Sequence, residues 1–417
     1  MFDNSTASFA SRRAMLKESD DSFINATCSL TLDILKQAVR DLDAEMSRKG
    51  PSTIGTTKFD PDILLTDSDL HTRIHESLNT NDFATAIKTA FSLPPKDEYT
   101  YHATASVILD QVQAAVTAGP ANGLQAWYLD PEPIHDEDGT ERRKVNYPPP
   151  ADIAAYVSLF DPAKPAANLL KGFKANAKKG SLRAGIADHL SSKRYVHPDI
   201  TVLKLKKGAE HDNIYADFWA WSCFSLHWAG PDASIADLHL GHHVLPVFMH
   251  HFGCACPSYE SLEIIKAVSQ GRSVLDVGSG NGYWTYMLRR HGLEVHAIDN
   301  GQSMWRTLWI GDTINQDGAK YMKKRTDGGK DDVLLMVYPV VGLEFTTSVL
   351  DAYKGDVICV AGTQNGNGYT GFKDEMVDSW MERERKDFEK IVQVPLPSFA
   401  GKDDALFVFR RRKGQTA

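Results

Sequence analysis

At 417 residues, 42% apolar and 24% charged, the chain is too long for one small core and too ordinary in composition for a disordered or fibrous protein. A formal net charge of −8 argues against a chain that is basic throughout, as a general nucleic-acid or anionic-membrane binder would be. No run approaches the ~18 uninterrupted apolar residues of a membrane span. The five scattered cysteines (Cys28, Cys223, Cys254, Cys256, Cys359) fit reduced thiols in a soluble cytoplasmic protein better than a disulfide framework.

Residues 1–27 are polar and read as a flexible N-terminus without the apolar stretch of a secretory signal. From residue 28 to 250 a mainly helical region is expected. Leu32, Leu35, Val39, Leu42 and Met46 recur at helical spacing before Gly50-Pro51, and further helical patterns cover 69–78, 82–91 and 102–118. The charged, Pro-bounded segment 131–150 reads as an exposed loop. Segment 161–210 carries nine Lys and two Arg against three Asp and one Glu, a solvated helix face with RNA docking as the alternative. In YADFWAWSCFSLHWAG, Tyr215, Phe218, Trp219, Trp221, Phe224 and Trp228 either wall an apolar acceptor pocket or glue the helical part to the C-terminal part of the chain.

The texture changes at about residue 251. The runs VLDVG, EVHAID, VLLMVYPV and DVICVA alternate with helical patterns, the mark of an α/β fold whose mostly parallel sheet is covered on both faces. KIVQVPLP and ALFVFRR come last, joined by a short glycine-containing turn that predicts a C-terminal antiparallel hairpin at the sheet edge, where Pro395 and Pro397 are tolerable.

Within this region Asp276-Val277-Gly278-Ser279-Gly280-Asn281-Gly282 leaves a strand and opens a helix, Tyr283–His291. Glycines there let the backbone turn sharply and approach a ligand closely. Asp299 ends the next strand, 21 residues beyond Gly278, where a carboxylate reaches the crevice and can take the hydroxyls of a ribose. A dinucleotide fingerprint needs glycine where this chain has Tyr283, and Asp276 suits an ammonium group better than a pyrophosphate. The pattern points to a nucleoside carrying an amino group.

On these residues the chain resembles the class I S-adenosylmethionine-dependent methyltransferases, whose first motif reads D/E-x-G-x-G-x-G. The resemblance extends through about Pro257–Arg412, within the domain expected over 251–417, and not through the first ~250 residues. It implies a seven-stranded, mostly parallel Rossmann-like sheet, S-adenosylmethionine as cofactor, and a methyl group transferred by in-line displacement. It also implies that Asp276 and Gly278 hold the methionine end, that Gly280 and Gly282 shape the wall, and that Asp299 binds the ribose. In the QDGAKYM segment Asp317 would accept from the adenine amino group, with Gly318 and Ala319 beside the ring. Tyr338, after the fourth strand, would face the methyl group, where base-methylating relatives often carry Asn/Asp-Pro-Pro-aromatic.

Such a transfer needs alignment first, and a base only for an acceptor that must shed a proton early. Tyr338 and His251 are the catalytic candidates, with His250 and Glu344 also nearby. His239, His242, His243, His250, His251, Cys254 and Cys256 lack zinc-ligand spacing, and no metal is expected. Pro257–Val268 reads as a helix capped by Ser258, its start bordering the cofactor's carboxylate. Gly362–Lys373 reads as a lid. A small-molecule acceptor is expected. An RNA or protein methyltransferase, a catalytically inactive binding scaffold and an aminopropyltransferase are the alternatives.

Overall fold

The structure is a computed structural model describing residues 59–414, apart from 104–105, 123, 136–138, 140, 163, 201–210, 238–240, 326, 340–343, 366–369, 371 and 373–374. The flexible N-terminus and the helix expected over 32–46 lie outside the described residues. Aspartates open the first helices. Asp60 caps α1 (Pro61–Thr66), Asp67 caps α2 (Ser68–Asn79) and Asp82 caps α3 (Phe83–Ala90), each carboxylate accepting from amides that have no partner inside the helix. The helix expected over 102–118 is shorter. Thr100–His102 (β1) and Ser106–Ile108 (β2) form an antiparallel hairpin, and only Leu109–Ala118 is helical (α4). Val107 and Ile108 fit a helical spacing, but their β-branched side chains sit more readily in the strand they occupy. The segment read as a loop likewise pairs as a hairpin, β3 (Leu129–His135) with β4 (Glu141–Val145), before Pro150 opens α5 (Pro150–Val157).

Next come α6 (Ala166–Ala175), α7 (Leu182–Lys193), β5 (Tyr195–Val196), α8 (Ile214–Ser225), α9 (Leu245–Phe252) and α10 (Tyr259–Ser269). Ser258 caps α10, its hydroxyl accepting from the Ser261 amide. Strands and helices then alternate: β6 (Val274–Val277), α11 (Tyr283–Arg290), β7 (Val295–Asp299), β8 (Ile314–Asn315), α12 (Gly318–Lys324), β9 (Val333–Val337), α13 (Phe345–Ala352) and β10 (Val357–Thr363). The chain closes with α14 (Val377–Glu384), β11 (Phe388–Pro395) and β12 (Asp404–Arg411).

The sheet runs β5-β11-β12-β10-β9-β6-β7-β8. β6 to β10 are parallel, and β12 lies antiparallel between β10 and β11. The parallel core and the terminal hairpin agree with the sequence reading; two details do not. Among the described residues the sheet has eight strands, not seven, because Tyr195 and Val196 pair with Gln393 and Val392. The hairpin is therefore not the sheet's edge, since β12 is interior and β5 covers β11.

The helical part and the sheet share one hydrophobic core, in which Phe83, Trp219 and Phe252 lie with Val274, Leu335 and Val392. The boundary expected at residue 250 falls inside α9. The aromatic run of α8 is the glue. Tyr215 stacks on Phe252 at 4.5 Å, and the indoles of Trp219 and Trp228 both donate to the Ser398 carbonyl in the β11–β12 turn, at 2.8 and 3.1 Å. Among the described residues no helix is long and apolar enough to cross a membrane. Replacing both indole donors (Trp219→Phe with Trp228→Phe) deprives that buried carbonyl of both bonds. A loss of about 1–3 kcal/mol is expected in urea unfolding, read as a lower midpoint at unchanged slope.

Candidate functional site

The glycine turn between β6 and α11 is fixed by its surroundings. Gly278, Gly280 and Gly282 take φ of 80°, 59° and 81°. A Cβ on Gly280 would stand 2.9 Å from the Trp305 ring, and one on Gly282 would collide with Ile310, so backbone conformation and space both demand glycine. The amides of Gly278 and Ser279 donate to the Ile298 carbonyl at 2.8 and 3.1 Å, which ties the turn to β7. At the tip of β7 the Asp299 carboxylate accepts from the amides of Gly280 (2.9 Å) and Gly301 (2.7 Å). Burial raises this carboxyl's pKa, and the two amide bonds oppose the shift. Each oxygen keeps a further lone pair for a ligand.

The turn forms one wall of a cleft of about 180 Å³ at the carboxyl ends of β6, β7 and β9, the side of an open α/β sheet where ligands bind. Phe252, Gly253 and Cys254 border it, as do Asn300, Gln302, Ser303 and Trp305 after β7, Gln316 and Gly318 before and in α12, Phe345, and Val337–Pro339 at and after the end of β9. Four buried polar atoms of lining residues have no partner among the described residues: Ser279 Oγ, Asn281 Nδ2, Trp305 Nε1 and Gln316 Nε2. Unpaired buried groups cost about 1–3 kcal/mol each, and these four belong to residues around one cleft.

Of the residues singled out from sequence, Gly278, Gly280, Asp299, Gly318 and Tyr338 line this cleft. Gly318 also lets α12 close onto β6, because a Cβ there would strike Val277. The others stand elsewhere. Gly282 faces Ile310 on the protein side. Asp276 lies fully buried beneath the turn, its Oδ2 accepting from Thr285 Oγ1 at 2.6 Å and its Oδ1 without a partner among the described residues. Burial pushes its carboxyl up to about 7 against that hydrogen bond. Asp317 is the N-cap of α12, bonded to the Lys320 amide at 2.8 Å outside the cleft. Glu344 precedes α13 and is likewise off the cleft.

His251 is a packing residue. It is fully buried, stacked 4.0 Å from Phe91, with Nδ1 on Thr307 Oγ1 (2.7 Å) and Nε2 on the Tyr101 hydroxyl (3.0 Å). Burial holds the ring well below the usual histidine range. His250 joins Tyr99 and the backbone of His102, fastening the β1–β2 hairpin to α9. Among the described residues no group of three His, Cys, Asp or Glu could hold a metal ion; His239 lies outside them. The turn before α10 reaches the cleft through Gly253 and Cys254, but the capped start of that helix does not line it. The centre of the expected lid, 366–369, lies outside the described residues.

Sequence reading missed the segment after β7. Trp309 donates its amide to the Asn281 carbonyl (2.9 Å) and its indole to the His251 carbonyl (2.6 Å), which holds Trp305 over Gly280. The paired tryptophans of MWRTLW were the available signal. Lys402 was also missed. It is 3% exposed and donates Nζ to the Tyr338 hydroxyl at 2.7 Å, although GKDD in a hairpin turn reads as a solvated tip.

No family model matches the chain. Two curated proteins named ribosomal RNA large subunit methyltransferase M are similar over short stretches. The one from Idiomarina loihiensis is 39% identical over 62 residues, 14% of this chain and 17% of that protein. The one from Colwellia psychrerythraea is 32% identical over 95 residues, 19% of this chain and 26% of that protein. The chain thus matches about a quarter or less of these relatives' length. Among solved structures, an O-methyltransferase from neocarzinostatin biosynthesis in complex with S-adenosylmethionine and 2-hydroxy-5-methyl naphthoic acid is 12% identical. It covers 84% of this chain and 96% of that one, at a TM-score of 0.25. LepI in complex with S-adenosylmethionine is 10% identical over 94% of this chain and 100% of that one, at 0.23. Such scores are too low for the superpositions to bear on the site. In its glycine turn and following acid the chain resembles the class I S-adenosylmethionine-dependent methyltransferases.

The raised carboxyl of Asp276 has a measurable sign. Between pH ~4 and ~7 the folded protein retains this proton while the unfolded chain has lost it, so stability from this group falls as pH rises through that window. Asp276→Asn is expected to flatten the slope, gaining about 1–3 kcal/mol over wild type at pH 8 and little at pH 4 in thermal unfolding. Asp404, also pushed up to about 7 by burial, retains its own share of the slope.

Proposed function

We propose that this protein is an S-adenosylmethionine-dependent methyltransferase with its cofactor in the cleft at the carboxyl ends of β6, β7 and β9. The observation that carries the reading is an open cleft at the carboxyl ends of the parallel strands, lined by a left-handed glycine turn and by the carboxylate at the tip of β7. The residues present fit the group. The turn 278–280 and the bend at Gly253 and Cys254 would receive the amino-acid end, Asp299 the ribose, and Gln316, Gly318 and Phe345 the adenine. When bound, the sulfonium cofactor supplies an activated methyl group. The chain's own part is to align the acceptor and exclude water, worth ~7–11 kcal/mol for well-oriented reactants. Asp276 is bonded to Thr285 of α11 and Asp317 caps a helix, so neither is assigned a cofactor contact.

The acceptor end is bordered by Phe252, Cys254, Tyr338 and Pro339. A small organic molecule suits this narrow, mainly apolar end. The aromatic run of α8 is spent on packing and supplies none of this wall. A second reading, an RNA acceptor, is favoured by the curated matches and by exposed Lys171, Lys178 and Lys179 on and after α6.

Calorimetry with S-adenosylmethionine and S-adenosylhomocysteine tests the first proposal. Micromolar binding is expected, weakened about tenfold, or 1.4 kcal/mol, by Asp299→Asn. Equal affinities would remove the ribose assignment, and no binding of either nucleoside would remove the enzyme. For the RNA reading, affinity for a structured ribosomal RNA fragment should fall steeply between about 50 and 200 mM salt, and the triple Lys171→Ala, Lys178→Ala, Lys179→Ala variant should flatten that dependence. Salt-independent or absent RNA binding favours the small molecule.

A further inference from the structure

Tyr338 occupies a backbone conformation that an aromatic side chain seldom adopts, with φ at 54°. Such a residue is strained and persists only where its surroundings impose it. Its amide donates to the Ala361 carbonyl at 2.7 Å, and its hydroxyl accepts from Lys402 Nζ at 2.7 Å. The ammonium also stands 4.8 Å from the Tyr338 ring centre and 5.5 Å from that of Phe399.

Lysine is rarely buried unless paired, yet Lys402 is buried in a hairpin turn. The groups facing it come from three other places in the chain. Asp404 opens β12, fully buried, with neither carboxylate oxygen partnered among the described residues. His242, before α9, is buried with both ring nitrogens unpartnered among those residues. Cys254 lies on the cleft wall. Burial draws Lys402 towards the neutral amine, while Asp404 and Cys254 favour the ammonium. The neighbouring Asp403 is engaged elsewhere, by His189 and Gln364.

We propose that Tyr338 removes the proton from a hydroxyl acceptor, with Lys402 as the positioning residue that polarises its oxygen, so that the substrate class is an alcohol or phenol. The inference rests on the methyltransferase reading. An ammonium in hydrogen-bond contact favours the phenolate over the phenol. In the transfer the acceptor O–H bond breaks and its proton passes to the Tyr338 oxygen. The acceptor's electron pair forms the new O–C bond, and the C–S bonding pair remains on sulfur. A carboxylate acceptor, already ionised, would need no such residue, and a neutral amine can attack before losing its proton.

The test uses the full chain with S-adenosylhomocysteine bound, and its affinity reports separately on the cofactor reading. In protein labelled at tyrosine Cζ with carbon-13, the Tyr338 resonance is assigned by its loss in Tyr338→Phe and followed from about pH 6 to 11, a range that brackets the usual tyrosine pKa. It should move to the phenolate position at least one pH unit below the usual tyrosine value of about 10, and Lys402→Met should remove the difference. Should Lys402→Met not fold, the wild-type titration decides alone: titration at or above about 10 overturns the proposal. With labelled S-adenosylmethionine, 2-naphthol should be methylated and benzoate and benzylamine should not, and Tyr338→Phe should lower the naphthol rate about 100-fold. Transfer to benzoate or benzylamine, transfer to none of the three, or an unchanged rate in Tyr338→Phe overturns the hydroxyl assignment while leaving nucleoside binding intact.

Discussion

The site depends on one carboxylate. Asp299 joins two strand tips by accepting an amide from the glycine turn after β6 and another from the bend after β7. Both amides are otherwise loose ends where a parallel sheet stops, and a charge-assisted bond to each is stronger than a neutral one. The turn can hold its left-handed glycines in place only because this acid and the Ile298 carbonyl fasten it to the next strand. The clamped carboxylate itself lines the cleft.

How far a feature could be read from sequence tracks the range of the interaction behind it. Continuous apolar runs and the glycine-rich turn are local, and the parallel strands, α11 and the cleft wall at Gly278 and Gly280 were readable from them. Asp276 shows the limit. Its place in a motif suggested contact with a ligand, whereas its burial against Thr285 depends on the rotation of α11 over β6, which no local pattern encodes. His251 failed for the same reason, because its partners Tyr101 and Thr307 lie 150 and 56 residues away. Lys402 was illegible altogether. A lysine beside two aspartates and a glycine looks like a solvated turn until the helical region closes over it.

That closure explains why the first part of the chain was the harder half to read. α8 carries aromatic residues around most of its circumference, so its spacing marks no single face. In the structure its aromatics other than Phe224 are buried, and both indoles reaching Ser398 come from it or from the turn behind it. The same contacts bury the hairpin turn next to Lys402. Packing that looks purely structural therefore gives the Tyr338 hydroxyl its low-dielectric surroundings.

The two residues of β5 have an effect out of proportion to their length. They occupy the outer rim of β11, which would otherwise present a row of unpaired amides and carbonyls bounded only by Pro395. Exposed rims of this kind recruit other chains into continued pairing. A fragment trimmed to begin at the first parallel strand, where the motif would tempt one to cut, would lose this cover together with the packed aromatics of α8. Self-association through the bared rim, and not a smaller working enzyme, is the outcome such an excision would bring.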